Sequence, residues 1–424
     1  MNKKILFIAI GAVLCVILII SGILGGQKQG NDTTASETPK TPVTIAPPQA
    51  DTTQAPSDTS SPETVPPPPY AGMTFTVLAP NSGDILLGDS IGGDIVSEAV
   101  YQRNLAVCQR TGATLLFKYS LDVYADIEAG SMAGNTAPHL LMLNMMSDGS
   151  RFLMNGGLAD VSELYGRSEG LDRSFSDSMS VAGKQYFIVG DITPSIVLSR
   201  YYLKVNANFT AAAHLVSVSQ NGAITYDALF QIIADSKSSL YLDEQGIHAL
   251  ISDGLFSFAD NGEASVDYEG YVKRAAALSA YKNFITSDTD VDNVISIGTY
   301  SGNGYVYLPL PTREDDSEGY VVDMSRLYPL AITDDCPDKI MSFELISLML
   351  ELSDGFTELV TDEYRLPHGA NTVYCYYDIF GWGDFSKHAY NAFFGNKTDS
   401  LSKTLEAPKK ASLQALSILL ERNS

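Results

Sequence analysis

The sequence predicts an α/β protein organised on a parallel sheet, and three observations carry that prediction. Strand-like and helix-like stretches alternate from residue 74 to residue 144, the third strand is apolar almost throughout, and residues 73–424 have ordinary globular composition after a very different beginning. Strand, helix, strand, helix, strand is the order that a parallel sheet with crossover helices requires. The globular part is long enough for one large core or two lobes.

Each element follows from its residues. "TFTVLA" at 74–79 alternates and is rich in β-formers, which marks a first strand. Asp94 is a good N-cap for a helix over 95–110, where Val96, Val100 and Val107 recur at helical spacing until Gly112 stops it. "ATLLFKY" at 113–119 is the second strand, 122–133 a helix, and "HLLMLN" at 139–144 a third strand apolar enough to be buried on both faces. Strands are predicted at 185–192 and 196–206 on either side of Thr193-Pro194, and amphipathic helices at 226–236, 241–252 and 268–284. A strand over 305–311 ends at prolines and runs into the charged loop "TREDDSEG", and helices return at 339–353, 356–362 and 409–421. There is no internal repeat.

The first 72 residues read differently. Lys3 and Lys4 precede an apolar run over 5–24, whose length of about 30 Å as a helix matches the hydrocarbon core of a bilayer. The run is too long, and its exit at Gly25-Gly26 too poor a cleavage site, for an ordinary signal peptide, and Cys15 sits mid-run after Leu14, a weak lipidation context. An N-terminal transmembrane anchor over 1–26 is therefore expected, its lysines holding that end in the cytoplasm and the bulk of the chain outside. Residues 27–72 carry ten prolines and a single aromatic, Tyr70, the composition of a disordered linker. Residues 73–424 make up the folded domain.

Charge and cysteines exclude several functions. Residues 73–424 carry 23 basic and 45 acidic side chains, and so negative a surface repels nucleic acid and anionic lipid. Cys108, Cys336 and Cys375 are too few for a disulfide framework, although one bridge stays open. The five histidines, His139, His214, His248, His368 and His388, form no metal-ligand pattern, so no metal or other cofactor is expected.

The stretches "GGDIVSEAVYQRNLAVCQRTGATL", "GGLADVSEL", "GKQYFIVGD", "YYLKVN", "LPLPTREDDSEGYVV" and "YDIFGWGDF" together resemble the extracellular solute-binding proteins of ABC importers, in particular the carbohydrate-type (family 1) group of Gram-positive bacteria. The resemblance covers most of 73–424, is weakest over 211–264, and differs in having an apolar anchor where most relatives have a lipobox. It implies a two-lobed, periplasmic-binding-protein-like (type II) fold with crossing strands near 196–206 and 305–325 and a ligand held in the cleft between the lobes. Parallel sheets place ligands beyond the carboxyl ends of their strands, which suits that implication.

Candidate ligand residues follow from position and chemistry. Asp89 and Ser90 lie in the loop after the first strand, Asn144 just past the third, and Asp191 at the end of "GKQYFIVGD". Tyr300 lies in the glycine-rich loop "GTYSGNG", which lacks the lysine of a phosphate-binding loop. Tyr377 and Trp382 can stack on a sugar face, with Asp384 beside them to accept hydroxyls. A competing reading rests on Gly88-Asp89-Ser90-Ile91-Gly92, which has nucleophile-elbow spacing and also resembles the first block of GDSL-type esterases. That family needs Asp-x-x-His to supply a base, and no histidine here has an aspartate three residues before it. The expectation is thus a membrane-tethered extracellular binding protein that performs no chemistry, takes a small polar solute such as a sugar, and partners ABC permease subunits. A surface sensor of the same fold without a transport partner is the alternative, and the Ser90 esterase the third reading.

Overall fold

The computed structural model describes residues 39–47, 68–81, 88, 94–167, 170–173, 175, 179–252, 255–258, 264–288, 295–312, 320–369, 371–374 and 384–423. The apolar run over 5–24 lies outside them; among the described residues no helix is long and apolar enough to cross a membrane.

In chain order the strands are β1 (Val43–Ile45), β2 (Thr74–Pro80), β3 (Thr114–Ser120), β4 (Leu140–Met142), β5 (Tyr202–Asn206), β6 (Leu240–Tyr241) and β7 (Phe256–Phe258). They continue with β8 (Ala264–Val266), β9 (Ile285–Thr286), β10 (Ile295–Gly298), β11 (Tyr305–Leu308), β12 (Tyr320–Val322), β13 (Leu330–Ala331) and β14 (Asn371–Tyr374). Two five-stranded sheets result, ordered β1-β3-β2-β4-β13 and β11-β5-β10-β6-β9. The predicted α/β class holds, with one refinement: β2, β3 and β4 are parallel, while β1 and β13 close the first sheet antiparallel.

Lobe one grows from the alternation read in β2. Phe75, Val77 and Ala79 are buried, and so are Leu115 and Phe117 of the parallel neighbour. Val107 and Cys108 of the Ile95–Thr111 helix cover them, joined by Met341 and Leu345 of the Lys339–Glu351 helix. The helix begins at Asp94, whose carboxylate accepts from Ser97 N at 2.8 Å, and ends at Gly112 with φ of 73°, a left-handed stop that glycine tolerates. Lobe two is built on the second sheet, with the Tyr226–Ser236, Glu244–Ile251, Tyr268–Leu278 and Asp384–Phe394 helices around it.

Passage between the lobes is made of three adjacent segments. Tyr201 N donates to Val321 O at 2.9 Å and Asp323 N to Ser199 O at 2.8 Å, which lays residues 199–201 against β12. On its other side β12 pairs in parallel with β14. The chain thus leaves lobe one ahead of β5, returns through β12 to β13, and leaves again through β14 towards the Asp384–Phe394 helix. The expected passages near 196–206 and 305–325 narrow to 199–201 and 320–323, β11 being an edge strand of the second sheet; the passage through β14 had no counterpart in the sequence reading.

Several local expectations are corrected. Pro194–Ser199 is a 3-10 helix where a strand over 196–206 was predicted, because Pro194 fixes a helical φ at its first turn. Over 185–192 only isolated bridges form, Ile188 with Leu330 and Gly190 with Leu171, so no strand is built there. The helix predicted over 268–284 ends at Leu278 and tightens into 3-10 geometry over Ser279–Phe284. Within the stretch that composition assigns to the linker, Val43–Ile45 is an edge strand against β3, with Ile45 only 4% exposed and Lys40 N donating to Asn81 Oδ1 at 2.6 Å. Cys108 and Cys336 are buried free thiols.

The lobe-two core holds one titratable group that sets a pH dependence. His248 is fully buried, its Nδ1 3.3 Å from the Tyr271 hydroxyl, and burial, reinforced by the Arg274 charge, keeps its imidazole well below the usual range. A histidine depressed in the fold takes up its proton first in the unfolded chain, so its contribution is complete above a pH of about 6.5 and falls away as pH drops below that value. Between pH 6.5 and 5.5 this costs about 1 kcal/mol of stability. Denaturant titrations at the two pH values should show a shallower loss in His248→Gln than in the native chain; equal losses would refute the assignment.

Candidate functional site

The carboxyl ends of the parallel strands β2, β3 and β4 point to one edge of lobe one, and the described residues after β3 and β4 carry polar groups there. After β2 the loop is pinned at Gly88, whose carbonyl accepts from Asn104 Nδ2 at 2.9 Å. Gly88 has φ of 67°, and a Cβ there would lie 2.6 Å from Val100 Cγ1, so only glycine fits. Asn104 in turn receives Arg103 Nε at 3.1 Å, and Arg103 donates to Ile192 O and Ser353 Oγ, both at 3.1 Å. Arg103 is buried, and burial lowers its pKa to about 10. Asn104→Ala removes the Gly88 contact and the acceptor for Arg103 together; a loss of about 2–3 kcal/mol in unfolding free energy is expected by denaturant titration, and a change below about 0.5 kcal/mol would contradict this role.

After β3, Leu121 is exposed and Asp122 caps the Val123–Met132 helix through Ala125 N at 2.8 Å. Both Asp122 oxygens also accept from Arg151 Nη1 at 2.7 Å, and the guanidinium lies 4.2 Å from the centre of the Tyr124 ring. Burial pushes the Asp122 carboxyl up, but the bonds from Arg151 and Ala125 N prevail and leave it below the usual range. After β4, Asn144 Oδ1 accepts from Ser147 N at 3.0 Å while its Nδ2 donates to Ser325 O at 2.9 Å. Buried Asp148 accepts from Asn144 N at 3.2 Å, and burial raises its pKa.

Lobe two answers with the loop after β10. Thr299 accepts a bond from Arg326 Nη1, and the Tyr300 ring lies 5.0 Å from that of Tyr364. Tyr364 ends the Phe356–Glu363 helix, which packs on the Ile95–Thr111 helix of lobe one, and its hydroxyl donates to Asp94 Oδ2 at 2.8 Å. Burial and the Asp94 carboxylate raise the Tyr364 pKa; at Asp94, burial acts upward but the bonds from Ser97 and Tyr364 leave the carboxyl low. A continuous run of contacts therefore joins the two lobes: Asp94, Tyr364, Tyr300, Thr299, Arg326, and, through its neighbour Ser325, Asn144.

The structure places the candidate residues unevenly. Asn144 and Tyr300 stand at this seam, but both polar ends of Asn144 already serve the frame. Asp191 accepts from Gly355 N at 3.0 Å and Thr357 N at 3.1 Å, closing the start of the Phe356–Glu363 helix. It borders a groove of about 530 Å³ beside the hinge whose walls include Asp172, Arg200, Glu358 and His368 but neither Tyr300 nor Asn144. Asp384 opens the Asp384–Phe394 helix of lobe two, packed on the Glu244–Ile251 helix. Asp89, Ser90, Tyr377 and Trp382 lie outside the described residues. Tyr364, Arg326 and the Asp122–Arg151 pair went unread; of these only Asp122 carried a signal, as an aspartate at a helix start. Among the described residues no group of His, Cys, Asp or Glu side chains is arranged to hold a metal ion.

Two α/β lobes joined by three adjacent segments make up the described fold. Among solved structures the chain is similar to the bacterial solute receptor AcbH, described as having an exclusive substrate preference for b-D-galactopyranose, at 10% identity and a TM-score of 0.52 over 81% of this chain and 99% of that one. It is likewise similar to the sugar-binding protein MalE of Xanthomonas citri, at 13% identity and a TM-score of 0.51 over 83% and 98% of the two chains. No family profile and no curated protein matches the sequence.

Proposed function

We propose that this chain is an extracellular, membrane-tethered solute-binding protein whose cleft closes on a carbohydrate and hands it to an ABC importer. The observation that carries the reading is the meeting of the two lobes at Tyr300 and Tyr364, whose hydroxyl bonds Asp94 at the start of the helix that follows β2, in a chain whose lobes are joined by three adjacent segments. The sugar preferences of the similar structures and the stacking chemistry expected of Tyr377 and Trp382 favour a sugar as the guest. The apolar run over 5–24 supplies the tether and places the domain outside the cell. Binding without chemistry is favoured because the esterase reading would need a base for Ser90. Gly88, two residues before it, belongs to lobe one, whereas His388 lies on the Asp384–Phe394 helix of lobe two.

A thermal-shift screen of galactose, maltose, other mono- and disaccharides, peptides and polyols tests this. A sugar at 100 times its Kd adds about 2.7 kcal/mol to the folded state, a rise of several degrees in Tm. A shift from peptides but from no sugar would overturn the carbohydrate assignment, and turnover of an ester lost in Ser90→Ala would overturn binding without chemistry.

A further inference from the structure

The loop Gly298–Gly304 touches lobe one at two separate points, and its own construction is rigid. Tyr307, on β11, accepts from Ser301 N at 3.0 Å and donates to Gly302 O at 2.7 Å, which folds the loop back over its strand. Tyr300 adds a bond to Asn303 Oδ1 at 3.1 Å, and its ring lies 5.3 Å from that of Tyr307. Gly302, with φ of 110°, allows the reversal. The loop therefore offers Thr299 and Tyr300 as a preformed pair.

Each of the two meets a residue held by lobe one. Tyr364 is fixed by its bond to Asp94, the cap of the Ile95–Thr111 helix. Arg326 ends a 3-10 turn, Met324–Arg326, that Asn144 Nδ2 holds through Ser325 O and Ser199 Oγ holds through Arg326 O at 2.8 Å. Both contacts run from the lobe-two loop to residues that lobe one holds.

We propose that Thr299 and Tyr300, with Arg326 and Tyr364, form a latch that sets the closed-to-open ratio of the two lobes and thereby the apparent affinity for any guest. These are positioning residues; the latch acts on the population that can bind. An aromatic contact of this kind is worth about 2- to 10-fold in such a ratio, and apparent Kd rises in proportion as the competent fraction falls. The proposal goes beyond the identity of the solute and does not depend on it.

Spin labels at Glu128→Cys on lobe one and Asp235→Cys on lobe two, in the full chain with Cys15 and Cys375 replaced by serine, report the interlobe distance by double electron–electron resonance. Both sites are exposed, and Cys108 and Cys336 are buried. Tyr300→Ala should move several-fold more of the population to the longer distance, and the conservative Tyr364→Phe and Thr299→Val should each move part of it. Unchanged distributions in Tyr364→Phe and Thr299→Val together would overturn the latch, whether or not Tyr300→Ala folds. With galactose and maltose as probes, Kd should rise by the factor by which the closed fraction falls. If neither sugar binds the native chain, the carbohydrate reading fails while the distance measurement still judges the latch.

Discussion

Replacing Gly88 by valine is expected to cost about 3 kcal/mol of stability and to abolish binding of the cleft's guest. A β-branched residue forced to a positive φ costs roughly 1–2 kcal/mol. At Gly88, where φ is 67°, the new side chain also meets backbone, Val100 C at 2.8 Å and Tyr101 N at 2.9 Å, which cannot rotate away. That overlap adds about 1–3 kcal/mol. The contrast is Gly134, whose φ of 72° is nearly the same but whose surroundings are open to 4 Å. Gly134→Val should lose the conformational part alone. Denaturant titration of both variants separates the two contributions, and equal losses would show that the packing of the β2 loop on its helix is unimportant. Binding is expected to suffer only in Gly88→Val, because Asn104 holds this loop at the Gly88 carbonyl.

The second large effect concerns the segment before the globular domain. Ile45→Asp is expected to destabilise lobe one by about 3 kcal/mol or more, since it puts a carboxylate into an apolar site against β3. Thr44→Asp, one residue earlier on the exposed face of the same strand, should change stability by less than about 0.5 kcal/mol. A flexible linker would tolerate both substitutions equally. The outcome decides whether residues 43–45 behave as linker or as the edge strand of lobe one.

The contrast between Thr44 and Ile45 also shows where the sequence stopped being informative. β2, β3 and the Ile95–Thr111 helix were readable because local signals agreed: alternation in "TFTVLA", a capping aspartate at 94, a terminating glycine at 112. β1 is three residues in a proline- and threonine-rich stretch, and what makes it a strand is the edge of β3, a partner roughly 70 residues away in sequence. Short apolar runs misled for the same reason. "QYFIVGDI" and "IVLSR" have strand composition, but the first finds only isolated bridges and the second starts at a proline that favours a helical turn. At the site, the loops after β2 and β4 were singled out by the rule that ligands gather beyond strand ends. The individual polar residues were harder to read, because an Asn or Asp at a loop start is as suited to closing a helix as to holding a guest. Asn144 and Asp191 both spend their oxygens on backbone N–H groups. Tyr364 and Arg326 had no pattern around them at all; their importance comes from the opposite lobe.

The proposed function requires two lobes that close about a sugar held at their seam. X-ray scattering from the full chain, with and without the sugar that gives the largest thermal shift, tests that most directly. Closure gives a smaller radius of gyration with sugar, saturating at the Kd found by thermal shift and requiring more sugar in Tyr300→Ala. A sugar that raises Tm while leaving the radius unchanged in the native chain would contradict it.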